Sequence, residues 1–126
     1  GAGPVLKRLV DAGHQLVLFT MRSDEDSLQS RDSGDRKTYL TDAVNWFKAN
    51  EIPLWGINTN PDQQTWTQSP KAYAQLYIDD AALGCPLVTP RNGERPYVNW
   101  GFVEQLLEGR GILERTGTQI MEASQQ

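Results

Sequence analysis

Leu76-Tyr77-Ile78-Asp79-Asp80 is an apolar run that stops abruptly at two adjacent carboxylates. In an α/β protein such a run reads as a buried parallel strand, and ligands of parallel sheets gather at the carboxyl ends of the strands. Asp79 and Asp80 therefore stand where a site is expected. Neighbouring carboxylates repel each other unless a cation lies between them, and hard oxygen ligands favour Mg²⁺. Asp also caps strands and opens turns, so a purely local role for the pair is the competing reading.

Composition narrows the class. The chain has 126 residues, 38% of them hydrophobic and 22% charged, which suits one globular domain with a single core. A formal net charge of -4 argues against nucleic acid or an anionic membrane as partner. An anionic ligand would need a metal or local basic groups. The lone cysteine, Cys85, cannot form an intramolecular disulfide, and the expectation is a cytoplasmic protein with a packed thiol. No apolar segment approaches the roughly 20 residues that span a bilayer.

Working outward from the central run, helices alternate with apolar strands. Pro4 to Ala12 reads as a helix with Val5, Leu6, Leu9 and Val10 on one stripe, ended by Gly13 as a left-handed cap. His14 follows directly, in a helix-to-strand connection at the end of the sheet away from a ligand, and is expected to be structural or solvent-facing. Gln15 to Thr20 gives a second apolar strand, Leu16-Val17-Leu18-Phe19, with Thr20 at its carboxyl end. Ser23 to Arg36 is a polar insert, readable as a substrate-recognition loop or as solvated surface, with Arg22 and Arg31 as anion contacts.

From about Lys37 to Asn50, Leu40, Ala43, Val44 and Phe47 follow helical spacing. Leu54 to Ile57 is a third strand, and Asn58 and Asn60 after it can orient a polar ligand or simply make a turn. Pro61 to Pro70 is irregular; Trp66 there is a hydrophobic plug or a stacking platform. Lys71 precedes the central run by eight residues, a position from which it is either an exposed charge or an anion ligand. Leu87-Val88 is a short edge strand, Thr89 to Pro96 a loop, and Asn99 caps a helix with Phe102, Val103, Leu106 and Leu107 buried, stopped by Gly109. Gly111 to Gln126 is a tail with weak periodicity at Ile112, Leu113, Ile120 and Met121.

This alternation predicts an α/β fold, a three-layer Rossmann-like parallel sheet with helices on both faces. Thr20, Lys71 and the acid pair then supply a hydroxyl, a cation and a metal-binding group, the requirements of phosphoryl transfer other than a nucleophile. In those stretches, namely Gly13 to Thr20 with Met21-Arg22, Lys71 to Asp80, and Val98-Asn99-Trp100-Gly101, the sequence resembles the haloacid dehalogenase-like (HAD) hydrolase superfamily. The likeness is to its small phosphatase-like members and covers most of residues 3 to 108.

The resemblance implies that Thr20 hydrogen-bonds the phosphoryl oxygens, Lys71 neutralises the phosphoryl intermediate, and Asp79 and Asp80 hold Mg²⁺, with Asp79 the direct ligand. The implied substrate is a small phosphorylated molecule; Arg22 beside the polar insert and Asn58 after the third strand are expected, from their positions, to be substrate-binding residues. The family's nucleophile lies in an Asp-x-Asp pair on a strand ahead of the first helix, whereas this sequence begins at that helix. The expectation is an N-terminally incomplete domain. Asp24-Glu25-Asp26 is the sequence's Asp-x-Asp, but no apolar run leads into it.

Two further readings stand beside the hydrolase. One is a catalytically silent HAD-like module for binding or oligomerisation; on either reading an open central edge favours strand addition by a second copy, a homodimer. The other, a receiver-like phosphoacceptor domain, has its acidic pair on the first strand and its Thr and Lys later, the reverse of the order here.

Overall fold

A computed structural model describes residues 1–25 and 37–115. These residues form a mixed α/β structure with three α-helices, one 3₁₀ helix and three sheets of two strands each. The elements are α1 (Ala2–Asp11), β1 (Val17–Leu18), β2 (Asp24–Glu25), β3 (Lys37–Thr38), α2 (Tyr39–Ala49), β4 (Gly56–Ile57), the 3₁₀ helix Pro61–Thr65, β5 (Leu87–Val88), β6 (Tyr97–Val98) and α3 (Trp100–Gly109). The chain divides into two compact units, one of Gly1–His14 with the chain from Gln75 onward, the other of Gln15–Ala74. Among the described residues no helix is long and apolar enough to cross a membrane.

The Gln15–Ala74 unit is a strand–helix–strand arrangement. β1 runs parallel to β4, with Val17 opposite Gly56 and Leu18 opposite Ile57. The ladder is carried one step further at each end: Trp55 N donates to Leu16 O and Asn58 N to Leu18 O, both at 2.7 Å. Parallel strands need a crossover connection, and α2 supplies it. Its predicted stripe of Leu40, Ala43, Val44 and Phe47 is half-buried while Thr41, Asp42, Asn45, Trp46 and Lys48 are exposed, so one face is covered as the spacing predicts. Between β1 and α2 stands an antiparallel pair, β2 with β3, in which Asp24 opposes Thr38. The remainder of the polar insert, including Arg31, lies outside the described residues.

In the other unit α1 packs on α3. Val5 and Leu9 of α1, Val103 and Leu107 of α3, and Leu113 beyond it are the buried side chains. The spacings of four residues place each pair on one helix face. Arg8 fastens the two helices from the side: Nη1 lies 2.8 Å from Glu104 Oε2 and 3.4 Å from Glu108 Oε2, and Nη2 donates to Glu114 O at 2.6 Å. His14 Nε2 lies 2.9 Å from Ile112 O, a structural link for the chain's only histidine. β5 and β6 form a hairpin, Leu87 opposite Val98, leading directly into Asn99, whose Oδ1 accepts from Phe102 N at 3.0 Å as the predicted cap of α3.

All three α-helices end in the same hydrogen-bond pattern. His14 N bonds Leu9 O and Gly13 N bonds Val10 O; Ile52 N bonds Phe47 O and Glu51 N bonds Lys48 O; Ile112 N bonds Leu107 O and Gly111 N bonds Glu108 O. This is the 6→1, 5→2 closure that leaves one residue left-handed. Gly13 and Gly111 occupy that position in two helices, with φ of 94° and 74°, but in α2 it is Glu51, at φ 57°.

Three expectations change. Gly109 is the last residue of α3 and not its stop; the left-handed residue that ends the helix is Gly111. The third strand is confined to Gly56–Ile57. Leu76 to Ile78 belongs to none of the three sheets, and its exposure alternates: Leu76, Ile78 and Asp80 are half-buried while Tyr77 and Asp79 are exposed. An apolar run predicts cover on both faces, whereas this alternation is that of an extended segment covered on one face, the phenol of Tyr77 being at home in water.

Candidate functional site

The carboxyl ends of β1 and β4 are joined by a side chain. Asn58, just past β4, is half-buried and left-handed at φ 58°, a conformation Asn adopts more readily than most residues. Its Oδ1 accepts from Thr20 N at 2.8 Å, two residues past the end of β1. Thr20 Oγ1 in turn accepts from Arg22 N at 3.0 Å. That bond uses a lone pair of the hydroxyl and leaves its proton to be donated. The backbone N–H of Thr20 is thus consumed, the hydroxyl oriented, and the guanidinium of Arg22 stays in solvent without an ion pair among the described residues.

Lys71 is exposed and lies in a loop knitted by two amides. Its backbone N–H donates to Ser69 Oγ at 3.2 Å and its carbonyl accepts from Gln63 Nε2 at 3.0 Å. Gln63, only 7% exposed, also donates to Ser69 O at 3.1 Å, and its Oε1 accepts from Tyr73 N at 2.7 Å. Asn60 donates to Tyr73 O at 3.1 Å and accepts from Asp62 N at 3.0 Å. Asn60 is therefore a loop-building residue. Trp66 is 61% exposed and meets Tyr73 edge to face, ring centroids 5.2 Å apart, so it plugs no core.

In the other unit Asp79 Oδ1 accepts from Ala81 N at 2.9 Å and its carbonyl accepts from Ala82 N at 2.9 Å. This is the turn-opening role of Asp, with Oδ2 left to solvent. Asp80 Oδ2 lies 3.6 Å from Arg95 Nη2, an exposed pair of the kind that contributes about 0–1 kcal/mol. Among the described residues no three His, Cys, Asp or Glu side chains converge as a metal-binding group. Cys85 is half-buried.

The structure accordingly brings Thr20, Arg22 and Asn58 together at one pair of strand tips. Asp24 has a different occupation: its carboxylate accepts from both Thr41 N (3.0 Å) and Thr41 Oγ1, capping α2 from outside the helix. Those hydrogen bonds hold the Asp24 carboxyl below the ordinary carboxylate range. Sequence reading missed this cap because Thr38, at the helix boundary itself, makes no side-chain cap and the donor lies 17 residues from Asp24. It missed Gln63 as well, since a glutamine in a polar loop carries no sign of burial.

The fold and these strand tips define a mixed α/β protein in which two hydrogen bonds join Asn58, Thr20 and the backbone of Arg22 just past the carboxyl ends of a parallel pair. No protein-family model matches the chain, and neither the curated proteins nor the solved structures include one similar to it.

Proposed function

We propose that this chain is a phosphohydrolase-type domain of the HAD-like class, built on a Rossmann-like parallel sheet, and that it handles the phosphoryl group of a small phosphorylated molecule. The observation that carries this reading is the bond from Thr20 N to Asn58 Oδ1 at 2.8 Å. It fixes a hydroxyl at the carboxyl end of one parallel strand against the end of the next, where sheets of this kind bind their ligands. The hydroxyl of Thr20 donates to a phosphoryl oxygen, Arg22 offers its planar fork to two more, and Asn58 keeps Thr20 in place. Lys71 supplies positive charge against the phosphoryl group.

The acids of the turn after Ile78 suit Mg²⁺ in the mode that cation prefers, one or two carboxylates with the remaining positions filled by water and phosphate oxygens. Asp79 Oδ2 is the oxygen left over by the turn and would be the direct ligand, with Asp80 beside it. When bound, Mg²⁺ would supply charge neutralisation to a phosphate.

A second reading, a module that binds phosphate without turning it over, is favoured by one observation. The sequence's Asp-x-Asp commits its first carboxylate to Thr41, where it caps a helix and is not offered as a nucleophile. Assay of 4-nitrophenyl phosphate hydrolysis with and without Mg²⁺, alongside calorimetric titration with phosphate, separates the two. Mg²⁺-dependent turnover that disappears in Asp79→Ala supports the hydrolase. Phosphate binding that weakens in Thr20→Val, without turnover, supports the silent module. Absence of both turnover and phosphate binding overturns the proposal.

A further inference from the structure

Beside Thr20 lies an open groove of about 440 Å³, within the range of roughly 300–1,000 Å³ typical of small-molecule sites. Leu18, Thr20, Arg22, Asp42, Trp46 and Phe47 line it. We propose that this groove receives the ring of a phosphomonoester whose leaving group is flat, aromatic or heterocyclic, and carries a hydrogen-bond donor. The inference rests on the phosphate reading of Thr20 and names the substrate class for that same site.

The wall is aromatic: Trp46 and Phe47 meet edge to face with centroids 5.1 Å apart, and Trp46 is 41% exposed on α2. An indole in that position offers a flat ring a stacking surface. Its N–H has no acceptor among the described residues, and the guanidinium of Arg22 has no carboxylate partner there. Asp42 Oδ1 accepts from Thr38 Oγ1 at 3.1 Å, which leaves Oδ2 available to accept from a ligand. One cation, one carboxylate oxygen and an aromatic wall next to an oriented hydroxyl match an anionic group joined to a ring that donates a hydrogen bond. A wholly apolar ligand would leave Arg22 and Asp42 unmatched, and a bare phosphate would leave the aromatic wall unused.

Calorimetric titration of the full chain with inorganic phosphate and with phenyl phosphate, both with Mg²⁺ chelated so that the ester is not turned over, tests this. Phenyl phosphate is expected to bind about tenfold more tightly, equivalent to about 1.4 kcal/mol. In Trp46→Leu the two ligands are expected to bind alike, at the inorganic phosphate affinity of the unaltered chain. Thr20→Val is expected to weaken both. Equal affinity for the two ligands in the unaltered chain, with phosphate binding still dependent on Thr20, overturns the inference and leaves the phosphate reading intact; this comparison needs no variant at Trp46 to fold. Phosphate binding indifferent to Thr20→Val overturns the phosphate reading itself, and no detectable binding of either ligand overturns both.

Discussion

Asn58 Oδ1 accepts the backbone N–H of Thr20 at 2.8 Å, so the ends of two parallel strands are held by a side chain where the ladder itself stops. Asn58 does this from a left-handed backbone, φ 58°, which separates its two contributions. Asn58→Gly keeps the backbone at ease and removes only the hydrogen bond, and is expected to cost about 1 kcal/mol of stability. Asn58→Ala adds left-handed strain and is expected to cost about 2–3 kcal/mol. Urea denaturation of both variants checks the order; Ala no worse than Gly would show that the backbone strain is not felt.

Asp24 and Thr41 make α2 sensitive to acid. Because hydrogen bonds from Thr41 lower the folded-state pKa of Asp24, the stabilisation is complete above the unfolded carboxylate value and is lost as pH falls through the lowered folded value. A carbon-detected NMR titration should show Asp24 titrating below the ordinary aspartate value, with the lowering reduced in Thr41→Val, which deletes the hydroxyl donor but keeps the backbone one. Titration of Asp24 at the ordinary aspartate value in the unaltered chain would remove the cap from the account.

How far the sequence could be read depended on whether the signal was local. Gly13 and Asn99 were legible because a left-handed cap and an Asn cap leave their mark within a residue or two of the helix they end. The apolar stripe of α2 was legible for the same reason. Gly109 misled because two glycines stand two residues apart, and only backbone geometry shows that Gly111 carries the positive φ. The alternation at Leu76 to Asp80 was hidden because Tyr77 is apolar by composition yet tolerates solvent. At the site, Thr20 and Asn58 were both visible as strand-end residues, but their mutual bond spans 38 positions and has no sequence signature. The two readings of Asp79, turn former and metal ligand, are compatible: one oxygen serves Ala81 and the other remains available.

Gln63 is the buried polar side chain among the described residues, and it makes three hydrogen bonds, two donated to carbonyls and one accepted from Tyr73 N. Gln63→Leu preserves bulk but strands Ser69 O, Lys71 O and Tyr73 N, each of which must find water or go unsatisfied. We expect a loss of about 3 kcal/mol and faster proteolysis between Pro61 and Tyr73. A variant with unchanged urea midpoint and protease resistance would show that water replaces the amide without cost.

Glu51 occupies the left-handed position that glycine fills at the ends of α1 and α3, while Ile52, next in line, is 3% exposed and fixes the chain path. Glu51→Gly is therefore expected to raise stability by about 1 kcal/mol, the relief of left-handed strain exceeding the entropy a glycine loses on folding. Gly111→Ala is expected to lower it by a similar amount, about 1 kcal/mol. Thermal unfolding of the pair tests both signs at once, and a Glu51→Gly variant less stable than the parent would mean that the Glu51 side chain contributes more than its backbone costs.

Gly56 tests whether the parallel pair depends on the turn that follows it. A Cβ at this position would lie 2.2 Å from the carbonyl oxygen of Thr59 and 3.1 Å from Pro61 Cδ. The first of these neighbours is backbone, so no rotamer change can relieve it, and the turn through Asn58 to Pro61 must move away from β4. Gly56→Ala is expected to cost about 3 kcal/mol, at the upper end of the usual range for overpacking. Since Asn58 lies inside that turn, its bond to Thr20 should loosen with it. Amide hydrogen exchange at Thr20 should then accelerate in Gly56→Ala more than exchange at Ile52, whose bond to Phe47 O belongs to the end of α2. Equal acceleration at both amides would mean that the unit opens as a whole and that the turn does not hold Thr20 separately.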